Sequence, residues 1–169
     1  LNKYNKFKMS QIASKRVLAD IKNIQRSDLE KEHIYVSVND DNIFNFKAMI
    51  IGPGTKNAPY QHGFYLFDIT IPDSYPFDPP KVKFMTIDGK TRFNPNLYKC
   101  GKVCLSILNT WSGPGWTSAH TLTSVLLVLQ SLYQCNQEVN IIPEYMFYSH
   151  EISKKIDLRQ EWMKYKANE

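Results

Sequence analysis

Hydrophobic positions are spaced as in a helix near the start of the chain, alternate through the middle, and return to helical spacing after residue 121. Ala13, Val17, Ile21 and Ile24 recur behind Ser10, a candidate N-cap, and predict an amphipathic helix over residues 11–26. Ile34, Val36 and Val38 then alternate with polar neighbours, and Phe44, Phe46, Ala48 and Ile50 do the same. Phe64 to Ile71 predicts a longer, more buried third strand, and Val82 with Phe84 a short fourth. Gly52-Pro53-Gly54 and Gly63 frame the loop between the second and third strands. Such short connections favour an antiparallel meander, because parallel strands need a long crossover. Leu122, Val125, Leu126, Leu129 and Leu132 mark a second strong helix, with its cap expected at Thr117 or Ser118. A polar loop over residues 134–142 leads to Pro143, which suits a first helical turn, and Ile152, Ile156 and Met163 predict a last helix. The pattern as a whole is α+β.

Two segments break the pattern. Tyr75-Pro76-Phe77-Asp78-Pro79-Pro80 cannot be a central strand, since proline lacks the donor and restricts its predecessor; it is a stiff loop that presents Phe77. Residues 86–117 have no sustained period and are rich in Gly, Pro and Asn. So long an irregular stretch in a compact domain points to function or disorder, and its apolar content argues against disorder. Within it, Cys104 follows Asn96 by eight residues. A thiol holds an acyl group as a thioester, and an asparagine amide beside it can donate to an oxyanion. That pair suffices for acyl transfer without a metal or a cofactor. Blander roles stand beside these: a free cysteine is usually a small buried hydrophobe, and asparagine commonly sits in turns. For Asn96 the two roles use different atoms. The side-chain carbonyl anchors the loop while the NH2 group faces the reacting carbonyl.

Length and composition narrow the field. The 169 residues suit one domain, with 43% apolar and 22% charged residues typical of a folded chain. No apolar run approaches the length of a membrane span, so no membrane association is expected. The net charge is +5, and Lys3, Lys6, Lys8, Lys15, Arg16 and Lys22 crowd the N-terminal end. They suit a solvated helix face or a dock for an acidic protein; scarce arginine and the lack of a known signature weigh against nucleic acid. Cys100, Cys104 and Cys135 are an odd set for a disulfide framework, which fits a reducing compartment. The single C-x3-C spacing, with no histidine near it, does not make a zinc site. The chain opens on Leu1 rather than Met, as an excerpt of a longer polypeptide would.

Several motifs then fall in order: Lys15-Arg16 on the first helix; Gly52-Pro53, Pro59-Tyr60 and Gly63; Tyr75-Pro76-Phe77-x-Pro79-Pro80-Lys81-Val82; Asn94-Pro95-Asn96; Gly101-Lys102-Val103-Cys104-Leu105; and the leucine-rich helix after Trp116. In this order and spacing the chain resembles the ubiquitin-conjugating enzymes, or E2s. It looks most like their large atypical branch, in which Asn-Pro-Asn replaces His-Pro-Asn. The resemblance implies a UBC-like α+β fold over residues 1–169, with an N-terminal helix, a four-stranded antiparallel meander and C-terminal helices. It implies that Cys104 carries ubiquitin as a thioester and that Asn96 stabilises the oxyanion. It further implies that Pro76, Phe77, Trp116, Thr117 and Ser118 dock RING or HECT ligases, although Phe77 and Trp116 also suit a core role. Lys15 and Arg16 would meet the activating enzyme, E1. Glu138 and Asn140 are candidates for a gate that helps the incoming lysine. No cofactor is implied, since ATP is used by the E1. The implied partners are ubiquitin or a related modifier, an E1, an E3 ligase and a protein substrate, in the cytoplasm or nucleus. An E2 for another modifier and a non-catalytic E2-like adaptor are the alternatives. Ser112-Gly113-Pro114-Gly115 lengthens the rim between Trp111 and Trp116 relative to many E2s.

Overall fold

The computed structural model describes residues 3–39, 41–53, 60, 63–90 and 92–134, with side chains from residue 11 onward. Helix α1 spans Lys3–Arg26 and is followed by a 3-10 turn, Leu29–Glu32. Strands β1 (Ile34–Val38), β2 (Asn45–Ile51), β3 (Phe64–Thr70) and β4 (Lys81–Phe84) come next. A second 3-10 turn, Ser106–Leu108, precedes helix α2, Leu122–Gln134. The strands pair antiparallel in sequence order, which is the meander that the short loops predict.

The register places every second side chain on one face. Ile34 lies opposite Ile50 and Ile50 opposite Tyr65, while Phe67 is matched to Ala48 on one side and Phe84 on the other. These residues are buried in one core with Ala13 and Val17 of α1 and with Leu122, Val125, Leu126 and Leu129 of α2. Each large apolar side chain so buried contributes roughly 1.5–3 kcal/mol. An aromatic wall stands at the end of the sheet nearest Asn94. Tyr65 and Tyr133 stack at 4.1 Å, and Tyr60 meets both edge-on. Gly52 makes that packing possible, since a Cβ there would lie 1.8 Å from the Tyr60 carbonyl oxygen.

Two boundaries differ from the sequence reading. Helix α1 starts at Lys3, so Ser10 lies inside it and not at its N-terminus. Residues 3–9 contain neither Pro nor Gly, and nothing local stops the helix from extending backward. Helix α2 is capped by Thr121, not by Thr117 or Ser118. The Ser124 amide donates to Thr121 Oγ1 at 3.1 Å, and the Thr121 amide to Ser124 Oγ at 3.0 Å. This is a reciprocal capping box with serine where Glu or Gln is usual, which hid it from the sequence. The predicted helix carrying Ile152, Ile156 and Met163 lies outside the described residues.

Candidate active site

Residues 94–104 fold back on themselves beside β4. Leu97 bridges to Val103, and the Tyr98 amide donates to the Lys102 carbonyl at 2.9 Å. Gly101 closes the turn with φ +88°, and a Cβ there would sit 2.7 Å from the Phe84 carbonyl oxygen. Only glycine fits both demands. The Phe84 amide donates to the Gly101 carbonyl at 2.8 Å, so the edge strand β4 fixes the hairpin that delivers Cys104.

Asn96 and Cys104 meet directly. The Cys104 amide donates to the Asn96 carbonyl at 2.9 Å, and Asn96 Nδ2 donates to the Cys104 carbonyl at 2.6 Å. The NH2 group is therefore the atom that anchors the loop, the reverse of the sequence expectation. The reason is chemical: the nearest backbone group is an acceptor, and a side-chain carbonyl cannot serve it. An NH2 group carries two hydrogens, so a second donor remains on the same nitrogen.

Cys104 itself is 2% exposed, although a thiol that accepts an acyl group from another protein is expected to be open to solvent. Val103, Leu105, Ile107 and Leu108 around it all belong to the core, and cysteine packs among them as a small hydrophobe. Cys100, at the turn of the hairpin, is exposed instead.

Asn94 ties this pair to the aromatic wall. Its Oδ1 accepts from the Asn96 amide at 2.8 Å, and its Nδ2 lies 3.2 Å from Tyr60 Oη and 3.3 Å from the Leu132 carbonyl. The Tyr60 hydroxyl donates to the Phe93 carbonyl at 2.6 Å. Asparagine thus fills its site with both ends of its amide satisfied.

Thr110 was missed by the sequence reading. Its hydroxyl accepts from the Leu105 amide at 2.9 Å and donates to the Val103 carbonyl at 2.8 Å, clasping the backbone on both sides of Cys104. Asn109 continues the brace in a left-handed conformation, φ 55°, with Oδ1 accepting from the Trp116 amide at 2.8 Å. A threonine six residues past the cysteine carries no local signal; only the tight turn brings it back. Thr110→Val should cost about 1–2 kcal/mol in urea unfolding, because it leaves the Leu105 amide and Val103 carbonyl without their partner. An unchanged midpoint would mean that water replaces the hydroxyl.

The docking candidates separate. Phe77 is 63% exposed, and Thr117 and Ser118 are exposed as well. Pro76 is buried after a cis Tyr75-Pro76 peptide, and Trp116 is 8% exposed. The Trp116 indole N–H donates to the Pro76 carbonyl at 2.7 Å, so Trp116 joins the two loops rather than presenting itself. Lys15 is exposed on α1, but Arg16 turns inward. Its guanidinium donates to the carbonyls of Ser118 and His120 and to Asp20, and Asp20 also accepts from the Tyr75 hydroxyl. Helix α1 and both loops are thereby held as one unit.

Asp20 is 1% exposed, and burial raises its carboxyl above the ordinary value of 3.8, against the lowering pull of Tyr75 and Arg16. A raised acid favours its neutral form in the folded state. Its ionisation therefore costs stability above the folded pKa, and that cost is relieved as pH falls. Arg16→Ala should lose about 2–3 kcal/mol near neutral pH by stranding a buried carboxylate and two carbonyls. The loss should shrink at acid pH, where the carboxyl, raised above its ordinary value by burial, takes up a proton more readily. Equal losses in urea unfolding at both pH values would assign the effect to the carbonyls alone.

Glu138 and Asn140, the gate candidates, and Cys135 lie outside the described residues. Among the described residues no cluster of three His, Cys, Asp or Glu side chains could hold a metal ion. No helix among them is long and apolar enough to cross a membrane.

Cys104 and Asn96 thus stand paired through the Cys104 backbone, on a hairpin beside the edge of a four-stranded meander. Residues 16–154 match the family model described as ubiquitin-conjugating enzyme, and the chain belongs to that family. Ubiquitin-conjugating enzyme E2 Z of Xenopus tropicalis is 55% identical over 86 residues, which cover 50% of this chain and 27% of that protein. The Danio rerio protein of the same name is 42% identical over 126 residues, or 74% of this chain and 37% of the relative. The chain thus spans well under half the length of these curated relatives. The crystal structure of ubiquitin conjugating enzyme E2 from Plasmodium falciparum superposes with a TM-score of 0.62 at 24% identity, covering 75% of this chain and 86% of that one. That likeness shows the α+β UBC fold.

Proposed function

We propose that this chain carries out both acyl transfers of an E2 through Cys104. The thiolate attacks the thioester carbonyl that links the modifier's C-terminal glycine to the E1, and the E1 thiolate leaves. A substrate lysine amine, or the cysteine of a HECT ligase, then attacks the new thioester. Negative charge gathers on the carbonyl oxygen, and the second N–H of Asn96 donates to it. The tetrahedral species collapses with Cys104 as the leaving thiolate, and an amine nucleophile passes its extra proton to solvent. ATP is consumed by the E1, so no cofactor is assigned to this chain.

One observation carries this reading: the Asn96 amide is hydrogen-bonded to the carbonyl of the cysteine it would serve. Exposed Phe77, Thr117 and Ser118 fit a ligase dock, and exposed Lys15 fits an acidic surface of the E1. A thiol nucleophile suits the reducing cytoplasm or nucleus. The test is a charging assay. With E1, ATP and ubiquitin the chain should give an adduct of one modifier that disappears on thiol reduction. A panel of activating enzymes with other ubiquitin-like modifiers decides which modifier is used. No adduct with any pair would support the adaptor alternative and end the catalytic one.

A further inference from the structure

The charge of this chain is not evenly spread. Between Lys81 and Lys102 stand Lys81, Lys83, Lys90, Arg92, Lys99 and Lys102 against one acid, Asp88. That excess equals the whole net charge of +5, so all the other residues together balance. From Gly89 to Gln137 no Asp or Glu occurs at all.

The fold gathers these cations beside the nucleophile. Lys81 and Lys83 project from the edge strand β4, both exposed. Lys83 bridges to Lys102, and its stem lies against Gly101, where a Cβ would meet Lys83 Cγ at 3.2 Å. Lys99 and Lys102 are exposed on the hairpin that ends at Cys104. The acid across the sheet from Lys83 is Asp68, whose ion pair is with Lys47 at 3.3 Å. Lys102 Nζ stands 5.9 Å over the Tyr98 ring and remains exposed, whereas the Arg92 guanidinium, 4.1 Å over the same ring, also donates to the Pro95 carbonyl and braces the turn. Lysines on an edge strand commonly serve to deter strand pairing. That role explains Lys81 and Lys83 but not the hairpin lysines, nor the absence of balancing acids.

We propose that Lys81, Lys83, Lys99 and Lys102 form a dock for acidic residues that flank the acceptor lysine in a protein substrate. The proposal rests on acyl transfer at Cys104. Lys102 is two residues from Cys104, within roughly 7 Å along an extended chain. Acidic residues a few positions from a lysine that reaches the thioester therefore fall on the strip. Rim charges of this kind act on encounter and orientation, so the gain is in KM more than in kcat. An acidic polypeptide is favoured over a nucleic acid because the strip adjoins a nucleophile whose acceptor is an amine.

The experiment uses single-turnover discharge of pre-charged protein to three peptides, each with one lysine, flanked by Glu, Gln or Arg. Free lysine is the reference. The Glu peptide should discharge the thioester roughly tenfold faster than the Gln peptide at subsaturating concentration, and the Arg peptide should be slowest. The difference should vanish at about 1 M salt, where the screening length is roughly 3 Å. Lys81→Glu with Lys83→Glu, and separately Lys99→Glu, should remove or invert the preference while charging and free-lysine discharge stay within about twofold of the parent. Fluorescence anisotropy of the labelled Glu peptide on uncharged protein gives a second readout that does not need the chemistry. Failure to charge would sink the acyl-transfer reading, whereas normal charging with equal peptide rates would overturn the dock alone. A preference that survives charge reversal would also overturn it. So would tight, salt-sensitive binding of a single-stranded DNA 20-mer without any acidic-peptide preference, which would assign the strip to nucleic acid.

Discussion

Replacing Cys104 with alanine should abolish the thiol-labile adduct completely, while Cys100→Ala and Cys135→Ala should leave it intact. This is the largest effect expected for any single change. The contrast with Cys100 is the informative part. Cys100 is exposed and Cys104 is buried, so accessibility alone would choose the wrong sulfur. What separates them is the backbone: Cys104, not Cys100, exchanges two hydrogen bonds with Asn96. Cys104→Ser should give an adduct that resists thiol reduction, formed far more slowly, because a hydroxyl is a weak nucleophile without a dedicated base. The alanine variant loses only a small buried atom, at about 1 kcal/mol, so its circular dichroism spectrum should match the parent. A labile adduct that persists in Cys104→Ala and vanishes in Cys100→Ala would move the nucleophile to the hairpin turn.

Much of this arrangement is legible in the sequence because it is local. Alternation at Ile34, Val36 and Val38, and at Phe46, Ala48 and Ile50, reports a half-buried strand whatever the strand packs against. Helix α2 announces itself by Leu122, Val125, Leu126 and Leu129 in the same way. The misreadings of Arg16 and Trp116 share one physical origin: contacts between residues far apart in the chain. Arg16 reads as a surface cation, yet it crosses to carbonyls more than a hundred residues away. Trp116 and Phe77 are both large aromatics on loops. The first is buried against Tyr75 and His120 with its N–H on the Pro76 carbonyl, and the second is exposed.

The site itself divides along the same line. The juxtaposition of Asn96 and Cys104 is anticipated, whereas the hairpin that carries them lies in a stretch that reads as irregular and is not predicted. Burial of Cys104 is not predicted either, because it depends on how Val103, Leu105, Ile107 and Leu108 pack into the core. Thr110 could have been suspected only by asking which side chain satisfies the backbone on either side of the cysteine. The described residues of 86–117 are irregular in period, and side chains of Asn94, Asn96, Asn109 and Thr110 supplement the short backbone turns and bridges that hold them.

Asn96→Ala should slow single-turnover discharge to lysine by about 10²–10³-fold, the loss of about 2.7–4 kcal/mol of oxyanion stabilisation. Charging by the E1 should be affected much less. The structure adds a complication that the sequence did not show, since the same NH2 group also holds the Cys104 carbonyl. Alanine therefore removes a loop anchor as well as a donor, and should lower stability by about 1 kcal/mol in urea. The two losses part in the kinetics. A displaced loop weakens binding of the acceptor and raises KM, whereas a missing oxyanion donor lowers kcat at saturating lysine. Asn96→Asp sharpens the contrast, because it keeps the shape of the side chain but offers the Cys104 carbonyl an acceptor. It should be at least as slow as alanine and should not recover at high lysine concentration. Discharge at the parent rate in both variants, with the hairpin intact, would leave the amide as a structural clamp and put the oxyanion donor elsewhere.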